Sequence, residues 1–524
     1  MSCSKIFSGD LPELTHEILQ YFHNDFPTLH SCILVNRLWC HLSIPLLWEN
    51  PFAIPTKNYN FIDIYLDNLN ADLKTKIYKY KLNDISLPSN GLFNYPSFIK
   101  YLNTLKIITS VGKWVEDTVR TLKPGSKYVL RDLSVPDFNK LIYTSLFKMF
   151  IENGVSLHTL SIEIFAFRTY KSCYYNIFEL ILQNQDFIHN VSNLKLYLGS
   201  SSGFPYQTTS NDYTLVKNRI LQIINLNQNL KGILLSYDNF PLYQSLLLSK
   251  DYSNTLNTIT FYYVNFNDVI NLDKIFDQLN VLKSVHIIYC YPLNNSFTQQ
   301  IINSIKPFKL KSLFIDKISQ IESLELLLQK SGDYLENFIG YTSVYNLLLK
   351  QQLLELITKY CNNLKFLGLH GFENQITYNL IENVNQNLNY LSISKDYNVN
   401  NVYNSTILQN LGPILPSKLE YLSLCLHINE SDFEVFMKNS NNIFINKLVI
   451  GQNSNDDILH YIKDFIMKEK RVKYFAFRNL KNRDLSYLID EVKEFKLHNI
   501  IVRNFNDLYL AIKSYDFARN IDYL

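Results

Sequence analysis

Glycine and proline are scarce, with 14 and 15 residues in a chain of 524. That scarcity argues against a long disordered linker. Cysteine is sparse as well. The seven thiols (Cys3, Cys32, Cys40, Cys173, Cys290, Cys361, Cys425) are odd in number and lack close pairs. They fit reduced side chains in cytosol or nucleus better than a disulfide framework. No sign of charge dominates: 50 basic and 47 acidic residues leave a net charge of +3. With no global basic footprint, no nucleic-acid partner is expected. No run of about 18 uncharged apolar residues occurs, so no membrane span is expected. Met1–Asp10 has no apolar stretch of the kind a cleavable signal needs.

Motifs that carry chemistry are missing too. There is no Gly-x-x-x-x-Gly-Lys-Ser/Thr and no Gly-x-Gly-x-x-Gly after a strand, hence no phosphate cradle. There is no His-Glu-x-x-His and no Cys-x-x-Cys, hence no zinc signature. His16, His23, His286 and His370 stand alone and read as surface or satisfied core positions. Asp456-Asp457 and Asp432/Glu434 read as a solvated face or a helix N-terminus. Cys425 lacks the setting of a thioester-forming nucleophile. The expectation is a chain that is no enzyme, with no cofactor and no metal.

What is present is apolar surface in two patterns. The first lies in residues 9–52. Leu11, Leu14, Ile18 and Phe22 fall at i, i+3, i+7 and i+11, one face of a helix. Asp10 and Glu13 read as an N-cap and its capping partner, with Pro12 at an early position where a missing N–H costs nothing. A second amphipathic run covers Leu29–Leu42 and leads to apolar turns around Trp39 and Trp48. So much apolar surface in about forty residues cannot all be buried internally. Some of it faces a partner or the rest of the chain.

Residues 9–52 resemble the F-box. A Leu-Pro opening with Glu and Leu (Leu11-Pro12-Glu13-Leu14), an Ile-Leu-x-x-Phe helix (Ile18 to Phe22), Val35-x-Arg37-x-Trp39 and Pro45-Leu46-Leu47-Trp48 occur in order at family spacing. Asn36 departs from the Cys or Ser common in the family. The resemblance implies docking of a Skp-family adaptor and, through it, a cullin-RING (SCF-type) ubiquitin ligase. It assigns the adaptor contacts, or the residues that present them, to Leu11, Pro12, Leu14, Ile18, Leu19, Val35, Trp39, Leu46, Leu47 and Trp48. The competing reading is a small helical cap on the chain's own domain.

Residues 53–150 read as a helical connector, with helices over Phe61–Tyr80, Ser97–Val119 and Phe138–Ile151. From 151 to 524 the second pattern repeats: apolar-x-x-apolar-x-apolar, starting at Leu157, Val191, Leu230, Leu256, Leu282, Leu310, Leu335, Leu364, Leu388, Leu419, Ile445, Val472 and Leu497. Gly340 alone breaks the apolar set. Most steps fall in or near the 20–29 residues of a leucine-rich repeat. Helical spacings such as Ile321/Leu324/Leu328 lie between. The expected fold is α/β: a helical F-box, a connector, and a leucine-rich-repeat solenoid with a parallel concave sheet and convex helices. It is similar to the repeats of F-box/leucine-rich-repeat proteins in degenerate form. An α-solenoid and a doubly wound α/β enzyme are the alternatives.

Third, fifth and seventh residues of each unit point away from the core, onto the concave face. The third position runs through small or polar residues to Asn337, then Phe366, Tyr390, Tyr421, Lys447 and Tyr474. An exposed aromatic ladder is expected there, and the seventh position ends in Arg478 and Arg503, one repeat apart on the same column. Aromatic and Arg side chains dominate binding hot spots, which makes Phe366, Tyr390, Tyr421, Tyr474, Arg478 and Arg503 the candidate target-binding set. Rings that merely stack on a β face are the alternative. The function expected is substrate recognition for the ligase, with an unknown target protein as partner. The competitor is a non-ligase interaction scaffold.

Overall fold

The computed structural model describes residues 11–23, 25–54, 59–78, 92–121, 135–164, 167–198, 211–237, 252–267, 269–318, 320–341, 347–372, 375–394, 405–440, 443–452, 458–469, 471–479 and 483–509, with a few isolated positions besides. Two compact units divide the chain, Met1–Leu234 and Leu235–Leu524. The expected boundary at residue 150 does not coincide with this division.

The first unit opens with three helices, Pro12–Gln20, Phe26–Cys32 and Arg37–Leu47. Leu11 is the N-cap of the first, with Pro12 in its first turn; Asp10 lies outside the described residues. Asp25 caps the second helix, accepting from Thr28 N at 3.3 Å and Thr28 Oγ1 at 2.7 Å. Asn36 caps the third, accepting from Trp39 N at 2.9 Å. Asn36 thus has a local structural role, since Asn is a good N-cap. The expected single run over Leu29–Leu42 is therefore two helices, broken where Asn36 is extended. Leu19, Leu29, Cys32, Trp39 and Leu46 form their shared core, with Phe22, Leu42 and Leu47 packed against it.

The connector packs directly onto this core. Trp48 meets Tyr65 edge-on at 5.2 Å and Tyr95 at 4.4 Å, and Phe52 meets Phe61 at 5.2 Å. The helix expected over Phe61–Tyr80 is two, Phe61–Asp67 and Ala71–Tyr78. The break falls at Asn70, whose Oδ1 accepts from Leu73 N at 3.0 Å. The helix expected over Ser97–Val119 begins instead as strand β1 (Tyr101–Asn103), followed by helix Thr104–Thr121. The last connector helix spans Val135–Glu152. Strand β1 pairs in parallel with β2 (Thr159–Ile164), and β2 with β3 (Asn193–Leu198). Strand β4 (Gly232–Ser236) comes next in the order. The ladder thus starts one strand before the expected repeats. Ile99 and Leu102 fit the motif, but its third apolar position is Thr104, and all three are buried.

The second unit carries β5 (Thr258–Tyr262), β6 (Ser284–Ile288), β7 (Leu310–Ile315), β8 (Asn337–Tyr341), β9 (Phe366–His370), β10 (Tyr390–Ser394), β11 (Lys418–Leu426), β12 (Phe444–Gln452), β13 (Val472–Arg478) and β14 (Ile501–Val502). Each pairs in parallel with the next. The helices between them, such as Asn295–Asn303, Ile321–Ser331 and Leu347–Tyr360, pack on one another in chain order. This is a mixed α/β, solenoid-like arrangement of strand-plus-helix units. Leu367/Leu369, Leu391/Ile393 and Leu422/Leu424 lie in register and are buried, as the spacing predicts. Asparagines lace successive turns: Asn280 Nδ2 donates to Asn254 Oδ1 at 2.8 Å, and Asn387 Nδ2 to Asn362 O at 3.1 Å.

Two registers differ from expectation. An irregularity between Val285 and His286 aligns Ser312 with His286, not with Ser284. Tyr474 aligns with Ile501, not with Asn499. Gly340 has a steric reason: a Cβ there would sit 2.9 Å from Phe372 Cε2, so the buried Phe372 ring fills the place of the missing side chain. Among the described residues no helix is long and apolar enough to cross a membrane.

Candidate functional site

The adaptor residues expected from the sequence separate into two groups. Leu19, Trp39 and Leu46 are core and fix the helices. Trp48 is held between Tyr65 and Tyr95. Pro12 is exposed, and Leu11, Leu14, Ile18 and Leu47 are half-buried. The most exposed apolar residues of the segment are Tyr21 at 90 %, Leu34 at 79 % and Val35 at 45 %. Sequence reasoning singled out Val35 but missed Tyr21 and Leu34, which lie at helix ends where the helical stripe does not reach.

A buried carboxylate ties this segment to the first strand. Glu49 accepts from His23 Nε2 at 2.7 Å and from Lys100 Nζ. Its main-chain oxygen accepts from Lys100 N at 3.0 Å and Tyr101 N at 3.1 Å. Burial alone would raise the Glu49 pKa; the bonds and charges of His23 and Lys100 outweigh it and hold the carboxyl below its ordinary range. His23 is thus a satisfied position, not an isolated one.

In the second unit Phe366, Tyr390 and Tyr421 do form a ladder in register. Their ring centroids are 6.0 and 6.1 Å apart, with the rings stacked. The expected exposure is not found. Phe366 and Tyr421 are buried, and Tyr390 is half-buried. The cover is the segment after β14. Phe505 and Tyr509 join Tyr421, Cys425, Val449 and Ala476 in one buried cluster, with Tyr390 and Leu508 against it. Further along, Phe517 lies 4.6 Å from Phe314 and 5.9 Å from Phe366. Small residues make room: a Cβ on Gly451 would sit 2.8 Å from Cys425 Sγ and 3.2 Å from Phe505 Cζ. Arg478 stacks on Phe505, its Cζ 4.0 Å from the ring. Arg503 is exposed, 6.0 Å over the half-buried Tyr474. The two arginines do not share a column, because the β13–β14 register places Arg503 two positions short of Arg478.

The earlier strands carry a polar ladder on the same face. Thr258 Oγ1 and Ser284 Oγ are 3.0 Å apart. Asn337 Nδ2 donates to Ser312 Oγ at 3.0 Å, and that hydroxyl lies 2.8 Å from His286 Nδ1. His370 Nδ1 bonds Ser394 Oγ in the same way. Burial, with Lys311 nearby, pushes the His286 pKa down to about 3, and burial pushes His370 down to about 4. Both act as neutral hydrogen-bonding side chains. Asp432 is buried in the first turn of helix Glu430–Asn439, the helix N-terminus expected for it; Asp456 and Asp457 lie outside the described residues.

Sequence reasoning also missed the eighth repeat position. Tyr237, Tyr263 and Tyr289 occupy it with φ of 56°, 51° and 52°, and Gly371 with φ of 77°. The Tyr237–Tyr263 rings stack at 5.8 Å, and Tyr263–Tyr289 lie at 5.3 Å. Tyr263 is 39 % exposed.

Among the described residues no group of three His, Cys, Asp or Glu side chains is placed to hold a metal ion. Six thiols, Cys32, Cys40, Cys173, Cys290, Cys361 and Cys425, are unpaired. Comparison with protein-family models and with curated protein sequences gives no match.

Proposed function

We propose that this chain is the substrate-recognition subunit of an SCF-type ubiquitin ligase in cytosol or nucleus. Its first helices, an F-box in this reading, bind a Skp-family adaptor that links to a cullin-RING core. The leucine-rich-repeat-like strands of the second unit bind a target protein. The chain itself is non-catalytic and works by raising the effective concentration of the target near the ligase. One observation carries the reading. A three-helix segment with F-box motifs keeps Leu34, Val35 and Tyr21 in solvent beside a packed core of Leu19, Leu29, Cys32, Trp39 and Leu46. Large apolar side chains left in solvent on a well-packed element often mark a partner surface.

The test is co-purification. The wild-type chain should capture the adaptor together with a cullin. Leu34→Asp combined with Val35→Asp should abolish capture while the fold persists, since neither residue is in the core. Deleting residues 1–52 with capture unchanged would defeat the proposal. Adaptor without cullin would favour a non-ligase scaffold.

A further inference from the structure

Resting on the target-receptor reading, we propose that Lys447, Lys473 and Arg503 form, around Tyr474, a docking surface for an acidic segment of the target protein, one with carboxylates on both sides of an apolar side chain. The site lies where the cover over the aromatic ladder stops. Phe505 and Tyr509 are buried with Tyr421, Cys425, Val449 and Ala476. The third position of the next three strands lies outside that cluster: Lys447 and Tyr474 are half-buried, and Ile501 is 41 % exposed. Register sets these three side by side, Lys447 against Tyr474 and Tyr474 against Ile501, about 4.8 Å from strand to strand. Two more cations close on the ring. Lys473 Nζ lies 5.2 Å and Arg503 Cζ 6.0 Å from the centre of the Tyr474 ring, and both residues are exposed.

Charge complementarity names the occupant. In these last repeats the ion pairs among the described residues are Lys438 with Glu434, Lys463 with Glu491 and Glu494, and Lys493 with Asp490. None of them involves Lys447, Lys473 or Arg503. The carboxylates closest in the fold are engaged or turned to solvent. Glu420 on β11 accepts from Asn446 Nδ2 at 2.9 Å. Asp507 is exposed on the helix Phe505–Leu508 and makes no ion pair with Arg503 among the described residues. Like charges gathered around one ring repel each other, and carboxylates from a partner relieve that repulsion while fixing the partner's register. The Tyr474 ring and Ile501 supply the apolar contact between the charges, and the aliphatic stems of the lysines widen it. A nucleic-acid strand is the less fitting polyanion. It needs a basic stripe and open rings on which bases stack, whereas here the cations are three and two of them already lie over the Tyr474 ring.

The experiment is fluorescence anisotropy on the full-length chain with three fluorescein-labelled probes: the peptide Glu-Glu-Leu-Glu-Glu-Leu-Glu-Glu, the same peptide with Gln for every Glu, and a single-stranded oligouridylate. Wild type is compared with Lys473→Glu combined with Arg503→Glu. The acidic peptide should bind wild type about tenfold or more tighter than it binds the double variant, and about tenfold or more tighter than the Gln peptide binds wild type. Raising salt from about 50 mM to about 500 mM should remove most of that difference. If the charge reversal unfolds the chain, as read by circular dichroism, Lys473→Gln with Arg503→Gln carries the comparison. Equal binding by the two peptides, equal binding to the two proteins, salt-insensitive binding or no binding would overturn the proposal. Tighter binding of the oligouridylate than of the acidic peptide would overturn it as well, by assigning the surface to nucleic acid. Adaptor capture through residues 11–52 is measured separately. Its loss would defeat the receptor reading and leave these titrations untouched.

Discussion

Ser392 tests whether the face carrying the aromatic ladder is covered. It is the middle residue of β10, paired with Gly368 and Ser423. An exposed face would let Ser392→Asp pass with little effect, unlike Leu391→Asp on the core side. The structure reverses that expectation. Ser392 is 1 % exposed, and its Oγ is buried without a hydrogen-bond partner among the described residues. A carboxylate placed there can avoid burying charge only by taking up a proton. At pH 7, protonating a group with an ordinary pKa of about 3.9 costs about 4 kcal/mol. That sets a ceiling for the charge effect, and crowding adds about 1–3 kcal/mol. The sum is comparable to the whole stability of an ordinary domain. In the variant the folded-state carboxyl pKa lies above the unfolded value, so the fold binds more protons and the deficit grows with pH. It should shrink by nearly 3 kcal/mol between pH 7 and pH 5. Ser392→Ala breaks no hydrogen bond among the described residues and should stay within about 0.5 kcal/mol of wild type. Urea unfolding followed by circular dichroism at the two pH values reads all three numbers. A Ser392→Asp protein within about 1 kcal/mol of wild type, with no pH dependence, would show that solvent reaches this face.

Two further outcomes follow from buried titratable groups. His286 and His370 stay neutral in the fold, with pKa values of about 3 and about 4. Unfolded His titrates near 6.5, so the unfolded chain binds more protons below that pH. Stability should fall by up to about 1.4 kcal/mol per pH unit per histidine as pH drops from about 6.5 towards 4. His286→Gln should flatten that slope, and an unchanged slope in denaturation series would refute the assignment. Glu49 has the opposite sense. Its folded pKa is depressed, so its contribution is present above the unfolded value of about 4.3 and lost as pH falls through the folded one. Glu49→Gln should cost about 1–2 kcal/mol at pH 7, discounted because the Lys100 side chain is 53 % exposed, and a cost unchanged at pH 3 would contradict the ion-pair account.

The repeating α/β order was legible because burial imposes a period. Leu391 and Ile393 must be apolar to meet the helix layer, and a one-residue slip would expose both. The three-helix segment was legible for the same reason, through Leu19 and Trp39. What covered the aromatic ladder was not. Third-position Phe366, Tyr390 and Tyr421 look alike whether solvent or another segment lies above them. The fifth position held the signal. Val449 and Ala476 are apolar where an open face would favour polar residues, and both are fully buried beneath Phe505 and Tyr509. Apolar residues on both sides of a strand mean cover on both sides. Phe505, Leu508 and Tyr509, spaced i, i+3 and i+4 just past the last strand, were the matching half of that signal. The misplaced last register hid it, because Arg503 read as a strand end rather than the start of the covering segment.

The eighth position shows a backbone demand that composition conceals. The N–H of Tyr263 donates to Ile288 O at 2.9 Å, that of Tyr289 to Phe314 O at 2.9 Å, and that of Gly371 to Ser394 O at 2.7 Å. In each case the residue adds one more rung to the next strand while its positive φ turns the chain out of the sheet. Glycine meets this demand without a steric penalty. A tyrosine in the left-handed region costs about 1–2 kcal/mol. Periodic glycine would have announced the turn, but this chain supplies it at Gly371 and uses tyrosine at positions 237, 263 and 289. The neighbouring rings return part of the cost, since an aromatic pair contributes about 0.5–1.5 kcal/mol beyond burial. Tyr262 adds ring contacts to Tyr237 at 6.2 Å and to Tyr263 at 4.9 Å, and Phe314 adds one to Tyr289 at 6.0 Å. The ladder bonds and the burial of Tyr289 add to the offset, and the turn is required whichever residue stands there. The same backbone geometry is therefore written in two side-chain alphabets, and only the glycine version can be read without the structure.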